Sequence, residues 1–304
     1  MHVLSVDDLT TEFIVKLFHR AEHLEKNKKH HHDHLDGYVL ASIFLEASTR
    51  TRLSTETAMW RLGGKVATIT DQETSSLQKG ETLSDTLHAI SHFVDLIAIR
   101  QRGSLTAEHV NASVKPLINC GDGEGNHPTQ ALLDAYTIWK HFQRLDHLRI
   151  FSYGDPEHAR AWKSLAGIIQ KFSNGSTKVI ELNRWSRHNL MGDSILRSKQ
   201  EKMQKALPWA DVVYVTRSQQ ERWQQNLGIQ LILEWTPTVY AGNQMNLDKS
   251  ALSEIKEDAI ILHPLPRRDE LSAEIDSDPR VKIWEQVNNG MFIRMALIEA
   301  LLLS

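Results

Sequence analysis

Cysteine is nearly missing from this chain: Cys120 is the single one in 304 residues. One thiol excludes an internal disulfide framework and any zinc site built from several cysteines of this chain. Proline and glycine are sparse at 8 and 15 residues, which excludes collagen-like and low-complexity chains. Net charge is almost absent as well. The 35 Lys and Arg against 38 Asp and Glu leave −3, so no global field draws the protein to nucleic acid or to an anionic membrane. No apolar run reaches the ~18 residues of a membrane-spanning helix. Residues 1–8 lack the basic stretch and apolar core of a secretory leader, so the cytoplasm is the expected compartment. Any attraction for anions must be local.

Apolar residues at 41% and charged residues at 24% are those of an ordinary globular protein, and the length suits two domains. Leu9, Phe13, Leu17, Ala21 and Leu24 recur every three or four residues and predict an amphipathic helix with Asp7 and Asp8 at its start. The run Lys28-Lys29-His30-His31-His32-Asp33-His34 reads as a solvated loop rather than a metal site. From Tyr38 onward strands alternate with helices. Strands are predicted at 39–45, 65–70, 96–100 and 116–119, then at 149–153, 178–182, 212–216 and 259–262. Helices fall between them, one of which, 128–142, carries the chain from the first set into the second. This rhythm predicts an α/β protein of two doubly wound parallel-sheet domains joined by interdomain helices. Residues 1–133 and 134–285 form the two domains, 286–290 lead into an apolar helix at 291–303, and the segment 286–304 packs back on the first domain.

The chemistry centres on Ser48-Thr49-Arg50-Thr51-Arg52, where a predicted strand stops and a helix starts. Ser48 or Thr49 can cap that helix. Its free N–H groups, partial positive charge and guanidinium forks together suit a phosphate or a carboxylate. On these residues alone, a capped surface helix with two solvated arginines fits as well. In parallel sheets, however, ligands bind outside the carboxyl ends of the strands. Arg100 closes another predicted strand, and the polar loop carrying Ser75, Ser76 and Lys79 and the run from Gly121 to Gln130 follow two more. Anion-binding groups therefore accumulate at one end of the first sheet.

Five segments resemble the aspartate carbamoyltransferases of the aspartate/ornithine carbamoyltransferase family. They are the stretch 44–58, Ser75-Ser76-Leu77-Gln78-Lys79-Gly80-Glu81-Thr82, His127-Pro128-Thr129-Gln130-Ala131-Leu132-Leu133-Asp134, Thr216-Arg217 and His263-Pro264-Leu265-Pro266-Arg267. They stand in that family's order and span essentially the whole chain. The last segment favours the aspartate enzymes, because the ornithine enzymes resemble His-Cys-Leu-Pro there.

The resemblance implies transfer of a carbamoyl group from carbamoyl phosphate to the amine of L-aspartate, feeding pyrimidine synthesis. Ser48, Thr49, Arg50 and Thr51 with Arg100 then match the family's phosphate ligands, and Thr51, Arg100 and His127 match the groups that hold the carbonyl oxygen. Gln130 and the carbonyls of Leu265 and Pro266 match acceptors for the carbamoyl NH2. Arg160 and Arg217 match the ligands of the two aspartate carboxylates, with Gln219 and Arg222 as assistants. The resemblance further implies no metal, no cofactor, and a homotrimer in which Lys79 and Ser76 (or Ser75) serve a neighbouring subunit's site. Regulatory chains or other pyrimidine enzymes as partners stay open, as do two rival functions: a carbamoyltransferase for another amino acid, and a silent homologue kept for assembly. Three departures stand out: Thr55 where phenylalanine is common, Gln101-Arg102 in place of a histidine-proline pair, and a poor match over 234–244.

Overall fold

The computed structural model describes residues 1–27, 33–70, 76–123, 125–183, 193–219 and 246–303. The chain divides into two compact units, 1–136 with 287–304, and 137–286. In the first unit, helix α1 (Thr11–Lys26) buries Ile14, Leu17, Phe18, Ala21 and Leu24, and Thr10 caps it by accepting from the Phe13 N–H at 3.1 Å. Asp7 and Asp8, expected in its first turn, belong instead to a separate 3-10 turn, Val6–Asp8. There the Asp8 carboxylate ties down the Leu4 and Ser5 N–H groups, and the hydroxyl of Thr10 takes over the start of the helix.

Four parallel strands follow: β1 (Val39–Phe44), β2 (Lys65–Ile69), β3 (Leu96–Gln101) and β4 (Leu117–Asp122), in the order β2-β1-β3-β4. Parallel pairing requires crossovers, and helices α2 (Thr49–Arg61), α3 (Leu83–Ser91) and α4 (Ala107–Ala112) lie between the strands in sequence. Leu96, Ile97, Ala98 and Ile99 of β3 have no exposed surface, as a strand covered on both faces should. Strand β4 continues to Asp122, past the expected end at Asn119. Pairing with β3 resumes beyond a register shift, at Gln101 and Asp122.

The second unit repeats this plan. Its strands β5 (Arg149–Gly154), β6 (Lys178–Asn183), β7 (Val212–Val215) and β8 (Ile260–Leu262) are parallel in the order β6-β5-β7-β8, with α6 (Arg160–Ser173), α7 (Asp193–Ala206) and α8 (Lys249–Leu252) between them. One detail recurs in both sheets. Asp95, just before β3, accepts from the first N–H of β1 (Val39, 2.9 Å), and Asp211, just before β7, accepts from the first N–H of β5 (Arg149, 2.8 Å).

The division between units falls inside two helices, α5 (Pro128–Phe142) and α9 (Ile283–Leu302). The last helix thus begins eight residues earlier than expected and contains Gly290. Phe292, Ile293, Leu297 and Ile298 are at most 1% exposed, and each such side chain stabilises the fold by about 1.5–3 kcal/mol. Glu299, also buried, accepts from Arg20 Nε at 2.6 Å and faces His34 Nδ1 at 2.6 Å, fixing α9 to α1 and the segment before β1. No helix among the described residues is long and apolar enough to cross a membrane.

Candidate active site

In the order β2-β1-β3-β4, the chain leaves β1 in one direction and returns on its other side, so the topological switch point lies between β1 and β3. A crevice opens outside the carboxyl ends of the strands at such a point. Phe44, the last residue of β1, is in register with Arg100, whose carbonyl accepts from the Leu45 N–H at 2.8 Å. The strand pairing therefore sets Arg100 beside the turn that leads into α2. Its guanidinium lies 3.2 Å from Glu46 Oε1 and donates to the Cys120 carbonyl at 3.3 Å, while its buried Nε meets no acceptor among the described residues.

Ser48 occupies the cap position of α2 in extended conformation, but neither it nor Thr49 supplies the expected side-chain cap. The first-turn N–H groups of α2 thus keep their donor capacity. Thr49 and Arg50 are exposed and Thr51 is buried. The departure at Thr55 is used locally: its hydroxyl donates to the Thr51 carbonyl at 2.8 Å. Lys79 is exposed at the end of a 3-10 turn, Ser76–Lys79.

The glycine-rich run after β4 is a tight turn. Gly123 has φ +45°, and a Cβ there would lie 2.2 Å from the Arg102 carbonyl oxygen, so only glycine fits. Asp122 closes the turn by accepting from Asn126 N–H at 2.6 Å and from Leu105 N–H at 3.0 Å. This sets His127, 6% exposed, at the head of α5, where its carbonyl accepts from the Gln130 and Ala131 N–H groups and its Nδ1 lies 3.4 Å from Thr129 Oγ1. Gln130 donates from Nε2 to Asp134 at 2.9 Å.

The second sheet has its own switch point, between β5 and β7. Gly154 ends β5 with φ +113°, and a Cβ there would come within 1.8 Å of the Thr216 carbonyl oxygen. The Asp155 N–H donates to Thr216 Oγ1 at 2.8 Å. The fully buried Asp155 carboxylate faces His158 Nδ1 at 2.8 Å and accepts from the Gln219 N–H at 3.0 Å. Around this knot stand Arg160, 6% exposed at the first position of α6, and Arg217, half-buried and donating to the Ser218 carbonyl at 2.7 Å. Gln219 donates from Nε2 to the Arg217 carbonyl at 3.2 Å.

Strand β8 delivers the turn that holds Leu265 and Pro266. The peptide between them is cis and Leu265 has φ +57°. The Leu265 N–H donates to His263 Nδ1 at 2.8 Å, and the other ring nitrogen meets Glu270 Oε1 at 2.8 Å, both side chains having no exposed surface. Burial pushes the His263 ring below its ordinary basicity, Glu270 pulls it up, and the charges of Arg267 and Arg217 press it down again.

Helix polarity gives these arginines their meaning. Helices α1, α3, α4 and α9 place an acid in the first turn, as the macrodipole prefers. Helices α2 and α6 have none there and carry Arg50 and Arg160 instead. A cation at the positive end of a helix detracts from stability, and an anionic ligand reverses that balance.

The described candidates thus lie beyond the end of a strand of their own unit, except that Arg100 is the penultimate residue of β3 and the Lys79 turn begins seven residues after the end of β2. Sequence reasoning assigned no role to Glu46, Asp134, Asp155, His158 or Glu270, the acids and the histidine that hold these groups. Only Glu46 and Asp134 fell inside segments already singled out. Lys28 to His32, Ser75, Arg222 and the poorly matching 234–244 lie outside the described residues. No cluster of three or more His, Cys, Asp or Glu that fits a metal occurs among the described residues.

Known proteins share this arrangement. Residues 1–140 match the carbamoyl-P binding domain of the aspartate/ornithine carbamoyltransferases, and residues 149–301 match their Asp/Orn binding domain. The aspartate carbamoyltransferase catalytic subunit of Bifidobacterium adolescentis is 37% identical over 303 residues, 97% of this chain and 92% of that one. The chloroplastic aspartate carbamoyltransferase of Arabidopsis thaliana is 38% identical over 96% of this chain and 75% of its own length. Aspartate transcarbamoylase of Trypanosoma cruzi, solved with carbamoyl phosphate and aspartate, superposes with a TM-score of 0.83 at 30% identity, covering 99% of this chain and 96% of that one. With both domains matched in order and full-length relatives above 35% identity, this chain belongs to the aspartate/ornithine carbamoyltransferase family.

Proposed function

We propose that this protein transfers the carbamoyl group of carbamoyl phosphate to the amine of L-aspartate, giving N-carbamoyl-L-aspartate and phosphate for de novo pyrimidine biosynthesis. The observation that carries the reading is the pair of arginine-headed helices, α2 and α6, each following the first strand of a sheet with the same strand order. One unit supplies ligands for a phosphate dianion and the other supplies two guanidiniums, Arg160 and Arg217, for a dicarboxylate.

In this reading the N–H groups of α2, the hydroxyls of Ser48, Thr49 and Thr51, and the charges of Arg50 and Arg100 hold the phosphate. Thr51, Arg100 and His127 donate to the carbonyl oxygen, which becomes an oxyanion when the amine attacks. Preorganised donors of this kind supply several kcal/mol of transition-state stabilisation. Gln130 and the carbonyls of Leu265 and Pro266 accept from the carbamoyl NH2. Gln219 steadies Arg217 through the carbonyl bond described above. The C–N bond forms first, and collapse of the tetrahedral oxyanion then breaks the C–O bond to phosphate, the departing phosphate taking the proton released by the amine. The mixed anhydride is already activated, so the reaction calls for no metal and no organic cofactor.

The active assembly in this reading is a cytoplasmic homotrimer whose Ser76–Lys79 turn completes a neighbour's site. Leu53 and Trp60, 58% and 52% exposed on α2, are apolar surface that supports self-association. A colorimetric assay for carbamoyl-amino-acid product, with purified protein, carbamoyl phosphate and a panel of amines, tests the reaction. L-Aspartate is expected to react, succinate to compete with it, and ornithine to do neither. Preference for a cationic acceptor, or no product with any amine, overturns the reading.

A further inference from the structure

Helix α5 carries Gln130 and Asp134 one turn apart on the same face, and the amide nitrogen of Gln130 donates to Asp134 Oδ1 at 2.9 Å. Asp134 has no exposed surface. In the same unit Arg294 of α9 is 4% exposed, and its charge acts on both Asp134 and Cys120. Burial pushes the Arg294 guanidinium below its ordinary basicity, and those two groups oppose the push. Its Nη1 folds back to donate to the Gly290 carbonyl at 2.8 Å, while its buried Nε meets no acceptor among the described residues. Gly290 makes this possible. A Cβ there would lie 2.7 Å from Arg294 Nη1 and 3.0 Å from Leu133 Cδ2.

A guanidinium taken out of water is tolerable only beside a compensating anion. The charges of Arg294 and Asp134 act on one another, and a carboxylate accepts hydrogen bonds without donating any. Gln130 therefore has to present its NH2 end to Asp134, which turns the carbonyl end, Oε1, the opposite way. This matters because the NH2 of a carbamoyl group needs an acceptor, and a reversed Gln130 amide would offer it a second donor.

We propose that Asp134 and Arg294 are positioning residues that fix the amide of Gln130 with Oε1 toward the donor, and that through it they select carbamoyl phosphate over acyl phosphates lacking an N–H. The inference rests on the donor assignment of Gln130 made above. Neither residue touches the substrate. The selection arises because a site built to accept a hydrogen bond discriminates against an analogue that has none to give.

Acetyl phosphate, with a methyl group in place of the NH2, is the probe. Its affinity and that of carbamoyl phosphate are measured by calorimetry on the full-length protein, for wild type, Gln130→Leu, Asp134→Asn and the double variant Asp134→Leu with Arg294→Met. Asp134→Asn keeps the shape of the side chain but offers either amide end to Gln130, and the double variant removes both charges together, so that neither is left buried alone. Circular dichroism confirms that each is folded. The wild-type preference for carbamoyl phosphate should fall by about tenfold in the double variant, approaching Gln130→Leu, and by less in Asp134→Asn. A preference that stays at the wild-type value in both Asp134 variants while Gln130→Leu lowers it overturns the inference, as does a wild type that binds the two phosphates equally. Binding is read rather than turnover. A protein that discriminates between the phosphates yet does not carbamoylate aspartate therefore counts against the proposed reaction and leaves this inference standing.

Discussion

Replacing Glu270 should reveal how the turn after β8 is held. His263 Nδ1 accepts from the Leu265 N–H, so the ring proton sits on Nε2 and points at Glu270 Oε1, which also accepts from the Arg268 N–H at 2.9 Å. Glu270→Leu strands the buried His263 Nε2–H and the part-buried Arg268 N–H, at about 1–3 kcal/mol each. The expected loss is roughly 3–5 kcal/mol, since neighbouring deletions do not add fully. Glu270→Gln keeps the accepting oxygen and leaves only its new NH2 unsatisfied, costing about 1–3 kcal/mol. Urea unfolding followed by circular dichroism should order the proteins wild type, Gln, Leu.

The same pair sets an acid limit. Burial keeps the folded His263 ring below its ordinary 6.5, so below that pH the unfolded chain takes up a proton that the folded chain refuses, and stability falls. Burial tends to raise the Glu270 carboxyl, yet the bonds from His263 and the Arg268 N–H outweigh it and hold the group below its ordinary 4.5. Its contribution is present above that value and is lost on further acidification. Compared with His263→Asn, wild type should lose stability more steeply from pH 7 to pH 5. A Glu270→Leu protein within about 0.5 kcal/mol of wild type, or a wild type that gains stability on His263→Asn's scale as the pH falls, would refute the reasoning.

Arg50→Ala should leave the fold intact and lower turnover by about 10² to 10³, the effect of losing one charge-assisted donor worth ~2–4 kcal/mol; steady-state kinetics checks this. Arg217→Ala should weaken aspartate binding and turnover while carbamoyl phosphate affinity, read by calorimetry, stays near wild type. Arg50→Ala and Lys79→Ala chains, each nearly inactive, should regain activity when unfolded together and refolded, because about a quarter of sites then draw Arg50 from one chain and Lys79 from the next. Wild-type chains refolded in parallel must recover for a negative result to count. Gly154→Ala should destabilise the protein severely, because its Cβ would lie 1.8 Å from the Thr216 carbonyl oxygen at φ +113°, and a lower urea midpoint would record it.

Where much of the candidate site falls on the fold was legible, because strands and the turns that end them leave local signatures. The β1 turn with Arg50, the end of β3 with Arg100 and the head of α5 with His127 all lie where alternation and turn residues place them. What stayed hidden depends on contacts between segments distant in sequence. Arg100 finds Glu46 only because β3 pairs with β1, an order that no local pattern encodes. Helix α9 starts at Ile283 although Gln286 to Gly290 reads as a lead-in to a helix that begins at Met291. Glycine inside a helix costs about 0.5–1 kcal/mol, and the space it yields to Leu133 and Arg294 is the reason it is there. Ser48 looked like a side-chain cap, but its hydroxyl is left for other use, which propensity cannot foresee.

The first unit is split in sequence, its two parts separated by the 150 residues of the second unit, which is one uninterrupted stretch. On the ribosome the order of completion is therefore reversed, with the second unit finished before the first. At about 5–20 residues per second, roughly 8–30 s pass between the emergence of α5 and that of α9. For that interval the N-terminal sheet waits without the helix that receives Arg20 and fits against Leu133, its apolar surface open to chaperones or to other nascent chains. Substitutions in Gly290, Arg294 or Glu299 should thus surface as folding defects of a sheet whose strands were translated well before them.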